Sequence, residues 1–212
     1  AVKPGMLVLD IGTGTGLLAM MAARAGAAEV VACEMDPRLA EIATEIVRRN
    51  GFADRIKVVA RKSTELKLGQ DLPRRADLVV SEILDSSVIG EGMLPSMRHA
   101  LAELAAPGAR VIPQGAKVKV ALIETPGLRM VNPVGTIEGF DLSPFDRYRN
   151  KSAGQPTELA AEEHRFLSDP QAVYDFDFTR PVPSPREHWF VVPATAAGTV
   201  HGIALWFDLD LD

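Results

Sequence analysis

The stretch MLVLDIGTGTG, residues 6–16, joins a short apolar run to a turn in which every second residue is glycine. The next segment, LLAMMAARAG, places apolar side chains at helical spacing and ends at Gly26. This order predicts a strand, a glycine turn and a helix. In such a turn the backbone can come close to a ligand while the first helical amides face it. The alternative is that the glycines serve only the tight packing of strand against helix.

The same alternation of strand and helix continues through the first half of the chain. DPRLAEIATEIVRRNG, residues 36–51, has an N-cap aspartate, a proline at the first helical position and a terminal glycine. MLPSMRHALAEL predicts another helix, and further strands are predicted at EVVACE, IKVVA, ADLVVSE and ARVIP. Strands that are apolar on both faces and separated by helices predict a parallel sheet covered on both sides.

After Pro113 the pattern changes to strands without long helices between them. These strands are predicted at KVKVALIE, VYDFDFT, HWFVV and VHGIALWFDLDL. We therefore predict an α/β domain over residues 1–112, followed by an antiparallel β domain over residues 113–212.

The composition argues against several classes of protein. A chain of 212 residues that is 47% hydrophobic can bury a sizeable core. Its net charge of −5 disfavours direct binding of nucleic acid, although an acidic protein can attract basic peptides. No apolar run approaches the length of a membrane span. The chain has a single cysteine, Cys33, which cannot form an internal disulfide and fits the reducing cytoplasm. Its four histidines lack metal-ligand spacing, so we expect no metal site.

Two acidic residues accompany the glycine turn. Asp10 precedes it, and Glu34 ends the second predicted strand. The spacing G-x-G-x-G differs from the dinucleotide motif G-x-G-x-x-G, so pyrophosphate binding is less favoured. At the end of a strand an acidic side chain can accept hydrogen bonds from both hydroxyls of a ribose. The alternative for Glu34 is a solvated carboxylate at the strand end.

A second pair of acidic residues lies in SEILDSSVIGEG, residues 81–92. Glu82 and Glu91 are nine positions apart, and the run ADLVVSE that leads into Glu82 is typical of a buried strand. Carboxylates close to a core are costly unless a cation meets them. We therefore expect a cationic partner for the pair. The alternative is that they cap local backbone or pair with arginines such as Arg98.

The chain resembles class I S-adenosylmethionine-dependent methyltransferases in four successive motifs: VLDIGTGTG, ACEMD, ADLVVSE and LAAPGARVIP. The segment SEILDSSVIGEGMLPS is similar to the double-glutamate loop of the protein arginine methyltransferases. The resemblance is closest to the monomethylating type III branch, protein arginine methyltransferase seven, in DIGTGTGLL, STEL and IGEGMLPS. VGTIEGFDLSPF and VHGIALWFDLDLD are similar to stretches of that family's β-barrel domain.

This resemblance implies a Rossmann-like class I methyltransferase domain followed by an antiparallel β-barrel domain. It implies transfer of one methyl group from S-adenosyl-L-methionine to a guanidinium nitrogen of protein arginine. Glu82 and Glu91 would be the catalytic pair that clasps the guanidinium. The implied cofactor-binding residues are Asp10, Gly12, Thr13, Gly14, Gly16, Leu17, Leu18, Glu34, Met35, Ser63, Thr64, Glu65 and Glu82.

The resemblance also implies partners. The substrates would be basic, flexible protein segments that contain arginine, and a homodimer would form through an arm that reaches from the barrel. Residues 125–139, TPGLRMVNPVGTIEG, are the candidate arm. Family members carry N-terminal helices over the cofactor and a loop after the last strand seen here. We therefore expect the chain to be a trimmed or partly ordered form of a longer protein.

Two other functions fit parts of the sequence. A class I methyltransferase of a ribosomal protein or a small molecule would explain the glycine motif, but not the barrel or both glutamates. A non-catalytic methyltransferase-like module that binds or dimerises would not need the intact Gly12, Gly14, Glu34, Glu82 and Glu91.

Overall fold

The structure is a computed structural model that describes residues 2–129, 133–148, 154, 156–182, 187 and 189–211. The chain divides into two compact units. The first comprises Ala1–Lys117, Tyr174–Glu187 and Phe207–Asp212, and the second comprises Val118–Val173 and His188–Trp206. We predict a domain boundary after residue 112. It lies inside the first unit, between the last strand of one sheet, which ends at Ile112, and the first strand of another, which begins at Gly115.

A five-stranded parallel sheet forms the core of the first unit. Its strands are β1 (Leu7–Ile11), β2 (Glu29–Glu34), β3 (Ile56–Ala60), β4 (Ala76–Ser81) and β5 (Ala105–Ile112). They lie in the order β3-β2-β1-β4-β5. The helices of this part are α1 (Leu17–Arg24), α2 (Pro37–Arg49) and α3 (Met93–His99), and α3 continues into a π-helical turn at Ala100–Leu104.

The carboxyl ends of the parallel strands meet at one edge of the sheet. Ile11 of β1 lies beside Cys33 of β2 on one side and Ser81 of β4 on the other. The chain runs outward from β1 to β2 and β3 and then returns to the opposite side of β1 with β4. Ligands of open α/β sheets bind outside the carboxyl ends of the strands at such a switch point. The architecture therefore places the candidate site above β1.

Small side chains attach the first two helices to the sheet. The buried helical residues are Ala19, Ala22 and Ala23 of α1 and Ala40, Ala43 and Val47 of α2. Larger apolar residues of the same two helices are exposed: Leu17, Met21, Leu39 and Ile42. Neighbouring alanines take the inward positions and bring the helix backbone closer to the sheet.

The helix α2 begins as its sequence predicts. The Asp36 side chain accepts the Arg38 N–H at 2.8 Å, and Pro37 occupies the first helical position. This capping satisfies a backbone donor that has no partner inside the helix. The start of α2 is consequently fixed directly after β2.

An antiparallel region follows β5. In chain order it contains β6 (Gly115–Glu124), α4 (Pro126–Arg129), β7 (Thr136–Ile137), β8 (Phe140–Asp141), β9 (Arg165–Phe166), β10 (Gln171–Asp177) and β11 (Gly202–Asp210). A four-stranded sheet has β6 between β10 and β11, and β9 also pairs with β6. Hydrogen bonds from Gln114 N–H to Asp210 O and from His201 N–H to Ile123 O fix the antiparallel register of β6 and β11. The predicted class, a Rossmann-like domain followed by antiparallel β structure, is confirmed.

One predicted strand was wrong. Residues 189–192 of HWFVV form no strand, and Trp189 is 97% exposed. Pro193 follows directly, and a proline lacks the N–H that a sheet ladder requires. Residue 188, the first of HWFVV, lies outside the described residues. Residues 130–132 of the candidate arm lie outside them as well.

Candidate functional site

The glycine turn between β1 and α1 is held against the end of β2. The N–H groups of Gly12 and Thr13 both donate to the Cys33 carbonyl, each at 3.0 Å. Gly12 has a φ of 73° and Gly14 a φ of 54°, values that residues with side chains rarely adopt. A Cβ on Gly12 would collide with Ile83, whereas one on Gly14 would meet nothing within 4 Å. The turn thus touches the loop after β4 and leaves open space beside Gly14.

Asp10 lies at the base of this turn with one unsatisfied carboxylate oxygen. The residue is fully buried, and its Oδ2 accepts the Thr13 hydroxyl at 2.6 Å. Its Oδ1 is buried and has no hydrogen-bond partner in the described part of the chain. Burial raises the pKa of Asp10 from 3.8 to about 6, although the hydrogen bond from Thr13 and a weaker interaction with the Ala19 backbone lower it; the Glu34 charge adds a smaller increase. An acceptor in this position suits a ligand ammonium group.

Glu34 joins the glycine turn to the start of α2. Its Oε2 accepts the Gly14 N–H at 3.1 Å, and its Oε1 accepts the Asp36 N–H at 3.0 Å. The residue is only 8% exposed, so the alternative of a solvated carboxylate was wrong. A carboxylate offers about four acceptor positions, which leaves capacity for two ligand hydroxyls.

Other predicted cofactor residues flank this cluster. Gly16 is the N-cap of α1 with a φ of 79°, and Leu17 and Leu18 form the first turn of that helix. Met35 follows Glu34 and is 71% exposed. These residues surround the same edge of the sheet, and the Gly16 N–H closes the glycine turn by donating to the Thr13 carbonyl at 2.8 Å.

Ser63, Thr64 and Glu65 form a single 3-10 turn after β3. The buried Ser63 hydroxyl donates to the buried Ser96 hydroxyl of α3 at 2.8 Å. Thr64 is half-buried and Glu65 is exposed. Ser96 is a site residue that our sequence reasoning missed, because no local pattern indicates a partner so distant along the chain.

Both catalytic candidates lie at the surface. Glu82 directly follows β4, Glu91 lies two residues before α3, and both are exposed. Within the described residues, neither forms a hydrogen bond or an ion pair. The expectation that they lie close to the core was wrong, because β4 ends at Ser81 and the chain leaves the core there. Arg98, the alternative partner, donates its Nε to the Val182 carbonyl at 3.1 Å.

The loop between the two glutamates is organised by Asp85. Its Oδ1 accepts the N–H of Ser87 at 3.1 Å and the N–H of Gly90 at 3.0 Å. Our sequence reasoning also missed this residue, although an aspartate followed two positions later by a serine is a known turn signal. The loop therefore has a defined path from β4 to Glu91.

Two further properties of the described residues concern metal ligands and membrane-spanning helices. Among them, no group of three or more histidine, cysteine, aspartate or glutamate side chains could hold a metal ion. No helix in the same part of the chain is both long enough and apolar enough to span a membrane.

The residues at this edge fit S-adenosylmethionine. The unsatisfied Oδ1 of Asp10 suits an ammonium group, and the open space beside Gly14 allows close approach of a ligand to the backbone. Glu34 retains acceptor positions for ribose hydroxyls after its two backbone contacts. All three lie at the ends of the adjacent strands β1 and β2.

Comparisons with known proteins agree with this geometry. Residues 1–116 match the model of the family described as ribosomal protein L11 methyltransferase (PrmA). An arginine N(omega)-methyltransferase of Streptomyces achromogenes subsp. streptozoticus is 41% identical over 210 residues, which cover 99% of this chain and 58% of the relative. Protein arginine N-methyltransferase 7 of Oryza sativa subsp. indica is 37% identical over 227 residues, covering 99% of this chain and 32% of the relative.

The chain belongs to the family described as ribosomal protein L11 methyltransferase (PrmA), whose model matches residues 1–116. Over its whole length it is similar to arginine methyltransferases. The solved Trypanosoma brucei PRMT1 enzyme-prozyme heterotetrameric complex with AdoHcy is similar to it with a TM-score of 0.67 and 26% identity. That match covers 84% of this chain and 54% of the other. Matches to protein arginine N-methyltransferase 7 confirm the resemblance to protein arginine methyltransferase seven. This methyltransferase chain spans about three fifths of the Streptomyces relative and about a third of the rice relative.

Proposed function

We propose that this protein transfers a methyl group from S-adenosyl-L-methionine to a guanidinium nitrogen of arginine. The observation that carries the proposal is the shared edge of the sheet. The linked cluster of Asp10, Gly14 and Glu34 follows β1 and β2, and Glu82 follows β4, which pairs with β1. A cofactor on the cluster and an arginine at Glu82 would lie side by side at the switch point.

The cofactor would be held mainly by the buried acidic residues. Asp10 would accept its ammonium group through Oδ1, and Glu34 would accept its two ribose hydroxyls. The turn at Ser63–Glu65 and the exposed Met35 would flank the adenine. When bound, S-adenosylmethionine supplies a methyl group that is attached to its positively charged sulfur. Loss of this methyl group converts the cofactor to S-adenosylhomocysteine.

Glu82 and Glu91 would prepare the arginine for this transfer. A guanidinium is planar, delocalised and always protonated in water, so it is a poor nucleophile. Two carboxylates can draw the positive charge of the guanidinium toward the nitrogens that they contact, which leaves another nitrogen better able to attack. They can also accept the proton that the methylated nitrogen releases. The pair is exposed and without partners among the described residues, and it is therefore available to an incoming cation. Close positioning and charge complementarity supply most of the rate enhancement in such displacements.

Basic, flexible protein segments are the first substrate class that we propose, with addition of a single methyl group. The support is the net charge of −5 and the similarity to protein arginine N-methyltransferase 7. Free arginine is the second candidate. The Streptomyces relative, which is the more similar of the two relatives at 41% identity, is named an arginine rather than a protein arginine methyltransferase.

A second copy of this chain is the partner that we propose. The segment from β7 to residue 148 exposes large apolar side chains: Ile137 at 51%, Phe140 at 71%, Phe145 at 67% and Tyr148 at 86%. Asp146 stabilises its fold by accepting the N–H groups of Val134 and Gly135. The segment overlaps the candidate arm at 125–139, and exposed apolar residues on α1 and α2 offer it a matching surface.

We place the protein in the cytoplasm, because its only cysteine, Cys33, is buried and unpaired.

Transfer of a radiolabelled methyl group tests the proposed function. The protein is incubated with labelled S-adenosylmethionine and, separately, with an arginine-rich peptide, the same peptide with lysine in place of arginine, and free arginine. We expect label on an arginine-containing substrate only, recovered as monomethylarginine after hydrolysis. Label on the lysine peptide, or on neither arginine substrate, would refute arginine methylation. Dimethylarginine would refute the single addition, and the ratio of peptide to free arginine labelling decides between the substrate classes.

A further inference from the structure

Asp85 connects the two ends of the loop between Glu82 and Glu91. Its Oδ1 accepts the Ser87 N–H at 3.1 Å and the Gly90 N–H at 3.0 Å, and the Ser87 hydroxyl lies 2.8 Å from the same oxygen. The Asp85 carbonyl also accepts the Val88 N–H at 2.9 Å. The residue thus binds the backbone at three later positions, the last of which directly precedes Glu91.

The absence of a side chain at Gly90 leaves space for Asp85 in this loop. An ideal Cβ on Gly90 would fall on the Asp85 carboxylate, and its backbone is not in the positive-φ region. The missing side chain therefore makes room for Asp85, and an alanine at position 90 would push the carboxylate away from the N–H of that residue.

Val88, at the middle of the loop, has an unfavourable backbone conformation. Its φ is 72°, which branched residues rarely adopt, yet its side chain is fully buried. Such a conformation persists only when the surrounding structure enforces it. The burial of Val88 and the hydrogen bonds of Asp85 are the interactions that do so here.

We propose that Asp85 is a positioning residue that fixes Glu91 relative to Glu82 through Ser87 and Gly90. The proposal rests on the proposed function, since it assigns the two glutamates to one guanidinium. Glu82 is fixed by its place at the end of β4, whereas Glu91 reaches its place only through the loop. Near-attack geometry tolerates little displacement, so loss of this loop conformation would be felt in turnover rather than in binding of the cofactor.

The hydrogen bonds within the loop also keep Asp85 ionised. Burial alone would raise the pKa of its carboxyl, but hydrogen bonds from Gly90 and Ser87 outweigh that effect and lower it. An ionised acceptor forms the stronger bonds to backbone N–H groups. An asparagine at this position would keep one oxygen acceptor and lose the charge.

A double-mutant cycle with Asp85→Ala and Gly90→Ala tests the proposal. Each single change is expected to lower kcat for arginine methylation by about 100-fold while cofactor affinity stays unchanged. Because the Gly90→Ala collision requires the carboxylate, the second change should add little to the first, and the effects should be strongly non-additive. Asp85→Asn should recover part of kcat. Asp54→Ala, which changes an exposed aspartate elsewhere in the same domain, is the matched control and should behave as wild type.

Hydrogen exchange gives a readout that does not depend on catalysis. Asp85→Ala should accelerate exchange of the Ser87 and Gly90 amides by at least about 10-fold, while amides of β1 and β4 keep their protection. Additive effects in the cycle, unchanged exchange in the loop, or a loss confined to KM for the substrate would overturn the positioning role. Wild-type protein that does not methylate arginine would instead overturn the proposed function, and the exchange experiment would still decide whether Asp85 holds the loop.

Discussion

The backbone N–H of Gly14 donates to Glu34 Oε2 at 3.1 Å, which joins the glycine turn after β1 to the acidic end of β2. The two residues are 20 positions apart in the chain. The same carboxylate accepts the Asp36 N–H, so it fixes the starts of two helices relative to each other. Glu34 is therefore both part of the fold at this edge and the proposed acceptor of ribose hydroxyls.

Glu34→Ala should weaken binding of S-adenosylmethionine. The change leaves two ribose hydroxyls without their charged acceptor, and hydrogen bonds to charged groups contribute about 1.5–3 kcal/mol each. Titration calorimetry measures the affinity, with the exposed Glu41→Ala as control. Because Glu34 also supports the Gly14 turn, Glu34→Gln, which keeps one acceptor oxygen, should lose less. Equal affinity of Glu34→Ala and wild type would contradict the assignment.

Cofactor affinity should rise with pH through about 6. Burial raises the pKa of Asp10 from 3.8 to about 6, so Asp10 is largely protonated below that pH and cannot accept an ammonium group as a carboxylate. Calorimetry at pH 5 and pH 8 should show tighter binding at pH 8. Asp10→Asn should bind weakly at both values and lose this dependence. An unchanged pH dependence in Asp10→Asn would assign the titration to another group.

The free energy of unfolding of the ligand-free protein should fall over the pH range in which cofactor affinity rises. Between the ordinary pKa of 3.8 and the folded value of about 6, the folded state binds more protons at Asp10 than the unfolded state does. The free energy of unfolding therefore falls as pH rises through this window, by roughly 3 kcal/mol from this group. Urea denaturation of wild type and Asp10→Asn at several pH values isolates the contribution. If the difference in unfolding free energy between wild type and Asp10→Asn does not change with pH, the pKa of Asp10 in the folded protein is close to its ordinary value of 3.8.

Glu82→Gln and Glu91→Gln should each reduce methyl transfer by about 100-fold or more while leaving cofactor affinity nearly unchanged. Each substitution removes a charge with little change in shape. Since both side chains are exposed, neither change should lower the unfolding midpoint measurably. Glu103→Gln, another exposed glutamate in the same domain, is the control. Ordinary turnover in the variant with both changes would eliminate the clasp.

Much of this architecture follows from short-range patterns. The apolar run before the glycine turn, the Asp36-Pro37 cap and the separation of strands by helices predict the parallel sheet, because each pattern acts within a few residues. The position of Glu34 at a strand end likewise predicts its place beside the turn. Which face of a helix is buried depends on how closely it approaches the sheet, and for this reason helical spacing alone does not indicate that Leu39 and Ile42 are exposed.

The parts of the site that escaped prediction depend on contacts between distant residues or on where a strand leaves the core. The buried contact of Ser63 with Ser96 joins separate elements, and no spacing rule connects them. The exposure of Glu82 follows from the end of β4 at Ser81, one residue earlier than the apolar pattern indicates. Element boundaries are the part of a fold that is hardest to predict from sequence, because tertiary packing can override local propensity.

Substitution of the exposed apolar segment should impair self-association. Phe140→Ser with Phe145→Ser removes two large side chains from a surface that is costly to leave in water, so a dimer that uses it would dissociate. Analytical ultracentrifugation at several concentrations measures the mass of both proteins. Trp189→Ser changes an exposed aromatic residue outside this segment and serves as the control. A wild-type monomer at high concentration, or a variant that remains dimeric, would exclude this segment as the interface.

The hydrogen bond between Ser63 and Ser96 should contribute to stability only as a pair. Both hydroxyls are buried, so Ser63→Ala or Ser96→Ala leaves the remaining hydroxyl without a partner and should cost about 1–3 kcal/mol of unfolding free energy. The variant with both changes buries no unsatisfied hydroxyl and should lose less than the sum of the two single variants. Urea denaturation measures all four proteins. Because Ser63 begins the turn proposed to flank the adenine, calorimetry should also show weaker cofactor binding in Ser96→Ala, although Ser96 lies on α3. Additive losses of stability would mean that the two hydroxyls act independently, and unchanged cofactor affinity would remove the turn at Ser63–Glu65 from the cofactor site.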